Sequence, residues 1–502
     1  MKTKEFFMKK GFITPKEAVL SFQHVFAMLG ATILVPILAN MSISIALIAA
    51  GIGTLIFYFI TKRKVPVFLG SSFAFLSALI AQMGDKGEIG SPTWNYAMAQ
   101  LSVAVVCTGL VYVILSLIVK LLGSDFVRKL FPPIVVGPVI IVIGMCLAPV
   151  AINNMNAVAQ IGDSATKIQI AGYLVTGLLT AGTIVGVAVF AKGFFKVIPI
   201  LFGIVVGYIT ACCFKIVDFS GLTDNNWILF QPDVFKNTFG WYTYLGKIWN
   251  KDLLKVILMF APIAIVTFME HLGDVNASSI VCGKDFIKDP GVHRTLLGDG
   301  LATMAAGLIG GPCNTTYGEN TAVLSITKNY NPNVLAVSAC FAIVLGIFSK
   351  FGSLLGTIPA PVIGGASLIL YGMIAANGLK TMVEARVDFS DSKNMIVCSV
   401  ILVIGIGMNA AGVTLEIGKY ISFSPLAVAT FIGILLNALF MVTAKGKQES
   451  GLSGTYGGEL IKEENTDQPA VEEVAEEQVV QEPIQEVEEN IQSTQEKIED
   501  AK

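Results

Sequence analysis

Charge is scarce in this chain. Of its 502 residues 14% are Asp, Glu, Lys or Arg, against about 25% in soluble domains. The acids also collect at one end: residues 449–502 hold 16 acids and three lysines, a net −13, which leaves +11 on residues 1–448 out of a total of −2. With 54% hydrophobic residues and a mean hydropathy of +0.71, the first 448 residues read as an integral membrane protein carrying a polar tail. Histidine is scarcer still, with only His24, His271 and His293, and no HExxH occurs, which argues against a membrane metalloenzyme. The eight cysteines form no CxxC pair and have no companion histidine cluster, so they read as small apolar packing residues. No nucleophile–base constellation supports an enzyme. No short apolar stretch with a cleavage site follows the basic MKTKEFFMKKGF, so no cleaved signal peptide is expected.

What is present is apolar sequence in lengths that match a bilayer, about 20 residues as helix. Clear runs lie near 17–39, 42–61, 96–119, 133–151, 168–190, 197–214, 252–269, 333–349, 394–411 and 424–443. Others, broken by Gly, Pro or polar residues, lie near 66–83, 292–310, 312–327 and 355–376. Hydropathy thus supports 12 to 14 spans. With 14 spans and an inside N-terminus, 22 basic residues fall on cytoplasmic faces and 9 on the others, as the positive-inside rule requires. Both termini are then cytoplasmic, in a cytoplasmic membrane.

Two of the broken spans share a pattern. The third reads VFLGSSFAFLSAL (67–79) and the tenth GPCNTTYGENTAVLSI (311–326), each with a hydroxyl pair followed by an aromatic. Such residues compete with helical hydrogen bonding or leave backbone uncovered. Third and tenth correspond if the chain is two halves of seven spans, and an odd number per half inverts the second half. Interrupted segments at matching places point to a transporter's midplane site. The loop 218–251, rich in aromatics, is expected along the outer interface. The tail from 449 onward is expected to be disordered.

Acids also stand where hydrocarbon should be. The eighth span ends in MFAPIAIVTFMEHLGDVNASS (259–279), where Glu270 and Asp274, four apart, share a helical face. His271 is turned about 100° away from Glu270. An ionised carboxylate at the bilayer centre costs about 3 kcal/mol on insertion scales, so such acids mark ligand, ion or proton pathways. Glu319 in NTTYGEN belongs to the same class, as does Asp299 in LLGDGLA, which reads as near a membrane edge. His24 and His271 read as hydrogen-bonded structural residues. Carboxylates accept hydrogen bonds, N–H groups freed in both breaks donate them, and an aromatic at each break can stack on a ring. That combination suits a small planar ligand with alternating N–H and C=O groups, such as the imide edge of a pyrimidine-dione. A carboxylate taken out of water protonates more readily, which would couple a proton to ligand entry.

QHVFAMLGATILVP (23–36), LGSSFAF (69–75), EHLGD (270–274), KDPGVHR (288–294), NTTYGEN (314–320) and PAPVIGGASLILYGMIAANG (359–378) resemble, in that order, blocks of the nucleobase–ascorbate transporter family and its uracil-carrying branch. The resemblance covers roughly residues 16–445. It implies an all-α polytopic membrane protein of 14 transmembrane segments in two inverted seven-segment repeats, with short β-strands interrupting segments 3 and 10. Residues 1–15 would be a cytoplasmic N-terminus. Residues 16–130 and 252–352 (segments 1–4 and 8–11) would form a core domain, and 131–217 and 353–445 (segments 5–7 and 12–14) a gate domain. Residues 218–251 would be extracellular and 446–502 a cytoplasmic tail.

The resemblance further implies that uracil is held by Glu270 and Glu319 and by the backbone amides of Phe73 and Gly318, with Tyr317 beside the ring. Glu270, Asp274 and Asp299 would carry the coupling proton, and His24, Ser72, Thr316 and Asn320 would support the site. It implies no cofactor beyond that proton, no metal and no nucleic acid, with lipid and a second copy of the chain as partners. One position departs: the uracil branch has His where this chain has Asp274, as purine and ascorbate carriers do. Glu319 matches the uracil branch, where purine carriers have Gln. Uracil–proton symport is therefore the leading expectation, with a xanthine or other purine carrier as the near alternative. An anion exchanger of the same architecture would want a cation where Glu319 stands.

Overall fold

Without water to hydrogen-bond a backbone, apolar chain in a membrane satisfies its peptide groups as helix. Here most of the long helices are started by a recognisable signal. Thr14 accepts from the Glu17 N–H at 3.3 Å while the Glu17 carboxylate accepts from the Thr14 N–H at 2.7 Å, a capping box that opens α1 (Pro15–Leu38). Ser42 caps α2 (Ile43–Ile60), Ser91 caps α4 (Pro92–Leu122), and a second capping box at Thr166 opens α6 (Lys167–Phe190). Proline in the first turn, where its missing N–H costs nothing, opens α5 (Pro133–Met155), α7 (Pro199–Cys213), α12 (Pro332–Ile347) and α13 (Ala360–Glu384). Between α2 and α4 lie β1 (Leu69–Ser71) and α3 (Leu76–Met83). The second half continues with α8 (Lys251–Phe260), α9 (Ile263–Cys282), α10 (Val292–Leu308), β2 (Asn314–Thr316) and α11 (Gly318–Thr327), then α14 (Ser392–Ala410) and α15 (Pro425–Ala444).

This is a computed structural model that describes residues 13–123, 129–162, 165–222, 227–417 and 421–444. All of them belong to one compact unit, residues 1–456, and the expected polar tail lies outside the described residues. Eight helical stretches among the described residues are long and apolar enough to cross a membrane, counting Lys251–Cys282 as one. A ninth arises if α12 and the short helix Ser349–Gly356, bent by 78°, form one span. The chain is a multi-pass membrane protein.

Close helix packing fixes the centre. A Cβ on Gly51 of α2 or Gly346 of α12 would run into the other helix's backbone, and the same holds for Gly109 of α4 and Gly300 of α10. Small residues let helices approach this closely where no hydrophobic drive acts between them. α5 meets α13 in the same way through Gly137 and Gly378, and α6 packs on α7 as α14 does on α15.

The structure adds detail to three sequence expectations. The helix that carries Glu270 and Asp274 runs on, as expected, through both acids to Cys282, where Gly283 (φ 61°) ends it in the left-handed region. Asp299, expected near a membrane edge, lies mid-helix in α10 and is fully buried, because the glycines on either side let neighbouring chain close over it. The aromatic loop does not simply run along a surface, since Trp241 turns inward, buried against Gly310 and stacked on Tyr242 at 3.9 Å.

Candidate functional site

The two breaks meet. β1 pairs antiparallel with β2 in the register Leu69↔Thr316, Gly70↔Thr315 and Ser71↔Asn314. The Ser72 N–H donates to the Cys313 carbonyl at 2.9 Å and the Tyr317 N–H to the Phe68 carbonyl at 3.0 Å, extending the ladder at both ends. Side chains bond the strands to the helices around them. Thr54 accepts from the Leu69 N–H at 2.9 Å, Thr303 donates to the Asn314 carbonyl at 3.2 Å, and the Asn314 amide donates to the Ala49 carbonyl at 3.1 Å. Non-helical backbone deep in a membrane protein persists only when it is satisfied in this way or lines a cavity. Beyond each strand a helical segment starts, at Phe73 on one side and at Gly318 on the other. Their first-turn N–H groups have no intrahelical partner and carry the positive end of the helix dipole. The site therefore has donors on two sides.

The acceptors come from α9 and α11. Glu270, Gly273 and Asp274 form the one partly accessible stripe of α9 at this level, between buried Met269, His271, Leu272 and Val275. Gly318 and Glu319 are partly accessible beside buried Tyr317 and Asn320. These half-open positions mark a crevice at the strand ends. Thr316 of β2 donates to Asp274 Oδ2 at 2.7 Å, tying the acid to the strand. Glu270, one turn earlier, has a buried Oε2 without a protein partner and lies in the field of Asp274, Glu319 and Asp299. A site with several acids and an unengaged carboxylate oxygen is built to accept hydrogen bonds from something it binds.

The other expected residues sort into two groups. Tyr317 lies over Gly70, where a Cβ would overlap its ring; its hydroxyl donates to the Ser71 carbonyl at 2.9 Å and receives one from Thr32 at 3.3 Å. The Asn320 amide reaches both Nδ1 and the carbonyl of His24 at 3.1 Å, joining α11 to α1. Ser72 is buried with its hydroxyl unpartnered. Asp299 stands apart from the crevice: its Oδ2 lies 3.2 Å from His271 Nδ1, and His271 Nε2 is 3.0 Å from the Thr295 hydroxyl. His271 thus points away from the crevice, as its helical position requires.

Two residues of α13 that the sequence does not single out also reach the site. Tyr371 of α13 meets Phe73 edge-on, with ring centroids 5.8 Å apart, and its buried hydroxyl has no partner. Asn377, lower on α13, brings its amide nitrogen to 4.0 Å from where a side chain on Gly318 would begin, with Asp274 Oδ1 at 3.5 Å from the same point. The signal was there in LYGMIAANG, a Tyr and an Asn inside an apolar run, but nothing local says which break they face. A cavity of about 40 Å³ touches Phe73, Ser77, Cys146 and Asn409 but none of the acids.

Comparison with known proteins adds three findings. The family model described as "Permease family" matches residues 15–413. The uracil permease of Bacillus caldolyticus is 43% identical over 420 residues, 84% of this chain and 91% of that protein, and the uracil permease of Bacillus subtilis (strain 168) is 40% identical over 428 residues, 85% and 93%. Among solved structures, the murine Solute Carrier 26 family member A9 anion transporter in the inward-facing state superposes with a TM-score of 0.57 at 12% identity, covering 88% of this chain and 70% of that one. At that identity the likeness is one of fold.

Proposed function

Because this chain belongs to that permease family, the nucleobase–ascorbate transporters that its motifs resemble, we propose that it carries uracil across the cytoplasmic membrane together with protons. The observation that carries this reading is the meeting of Glu270, Asp274 and Glu319 at the paired breaks, acceptors facing first-turn N–H donors. Uracil's N–H groups bond to Glu270 and Glu319, its carbonyl oxygens take the amides of Phe73 and Gly318, and Tyr317 lies beside the ring. The proton rides on Glu270, with Asp274 as its relay and Asp299 behind them. His24, Thr316 and Asn320 hold the frame by their side chains and Ser72 by its backbone N–H, and no cofactor is needed.

The architecture of this reading is 14 segments in two inverted repeats, with both termini cytoplasmic and two copies joined through their gate domains. Exchanging the halves supports the repeat: it maps the α2–α12 contact onto α10–α4, the α6–α7 pair onto α14–α15, and β1 onto β2. Under this reading segments 1–4 and 8–11 form the core domain that bears the acids, and segments 5–7 and 12–14 the gate that brings Tyr371 and Asn377.

The test is uptake of labelled uracil by cells lacking their own permease, with and without a protonophore. Saturable uptake that collapses with the protonophore is expected. Uptake that survives it would remove proton coupling, and no uptake would remove the substrate. Asp274, shared with purine carriers, favours xanthine as the second reading, so labelled xanthine is run in parallel, with Glu319→Gln expected to shift preference toward it.

A further inference from the structure

Away from the transport site, and independently of its substrate, we propose that the end of α2, the end of α4 and the start of α10 form a binding site for one anionic phospholipid. Three helix ends converge there. Lys62 follows α2, Lys120 occupies the last turn of α4, and His293 and Arg294 open α10. His293 lies in the field of Arg294, Lys120 and Lys62 together, which places these groups in one cluster. The cluster is built rather than incidental: the Ser116 hydroxyl donates to the His293 carbonyl at 2.5 Å, and Arg294 reaches the Ile60 carbonyl at 3.5 Å.

Among the described residues the positive charge is left uncompensated. Asp289 is taken by Lys64 at 2.6 Å and Asp285 by Lys288 at 3.6 Å. Among the described residues no carboxylate comes within ion-pair distance of Lys62, Arg63, Lys120 or Arg294. Arg63 instead lies over the Phe59 ring, 5.5 Å from its centroid.

An exposed apolar stripe on α4 runs toward the same helix end that carries Lys120. Leu110, Ile114, Leu117, Ile118 and Leu121 of α4 recur at helical spacing on one face and are 40% to 75% exposed. Over those residues the stripe runs roughly 17 Å, which suits an acyl chain. A soluble phosphate ion would use the cations and ignore the stripe, and a neutral lipid would do the reverse. Only an anionic phospholipid uses both, its phosphate on Lys62, Lys120 and Arg294 and its chain along α4.

The test is native mass spectrometry of the purified full chain in detergent, titrated with phosphatidylglycerol or phosphatidylcholine of the same acyl chains. Wild type is expected to retain one phosphatidylglycerol per chain in preference to phosphatidylcholine. The double variant Lys62→Ser/Lys120→Ser is expected to weaken phosphatidylglycerol binding roughly 25-fold, about fivefold for each lysine lost near an anionic surface. Lys62→Arg/Lys120→Arg is expected to retain it, and Lys192→Ser/Lys196→Ser, elsewhere on the chain, to change nothing. Equal retention of the two lipids by wild type overturns the proposal, as does displacement by millimolar inorganic phosphate. So does a chain dimer that the Ser variants dissolve with lipid retention unchanged, which would make the stripe an interface between copies.

Discussion

Around Ser71–Phe73 the polar side chains hold little: Ser71 touches the Thr32 carbonyl at 3.3 Å and the Ser72 hydroxyl has no partner. Around Thr316–Asn320 three side chains are committed, Thr316 to Asp274, Tyr317 to the Ser71 carbonyl, and Asn320 to His24. Both arms share one backbone device, three residues of strand followed by the start of a helical segment. The difference shows that the crossing itself is backbone work, while the aiming of Asp274 falls to the second arm. Asymmetry of this kind suits a site whose two sides must meet different edges of one small ligand.

The comparison breaks first at the acids. Glu270→Gln is expected to reduce uracil uptake by roughly 100-fold, since a hydrogen bond to a charged group contributes up to about 3 kcal/mol. Near-normal uptake in that variant would move the binding site elsewhere. The crossing is probed next by Gly70→Ala. The new methyl meets the Tyr317 ring, and overpacking of this kind typically costs about 1–3 kcal/mol. A lowered thermal midpoint in detergent is the readout, and an unchanged midpoint would mean that Tyr317 is free to move. Thr316→Val removes the bond that aims Asp274 and should lower uptake by about tenfold, which Thr316→Ser should restore. Ser72→Ala, at the matching place on the first arm, should leave uptake within about twofold of wild type, because its hydroxyl gives up no bond. If it instead matched Thr316→Val in severity, the two arms would be equivalent after all.

Much of this was legible in one dimension. The hydroxyl pairs followed by an aromatic marked both breaks, and the spacing of Glu270 and Asp274 put them on one face with His271 turned aside. Nothing in LLGDGLA by itself tells that Asp299 is enclosed between its glycines. In the fold those glycines are where helices touch, so the acid is enclosed. Trp241 was misread for a related reason: an aromatic in a loop suits an interface by composition, and only the space over Gly310 draws it inward. Tyr371 and Asn377 carry no local signal of which break they face, because they lie more than fifty residues beyond the second break and their meaning depends on how α13 packs.

The sequence by itself determined where the chain is helix, where helix fails, and which acids share a face, because periodicity and capping act over a few residues. The tertiary structure alone decided that Leu69 pairs with Thr316, that Thr316 aims Asp274 across 42 residues, and that Asn377 looks onto Gly318. Those contacts depend on how closely helices approach, which is set by small residues meeting small residues far along the chain, and no local pattern records who the partner will be.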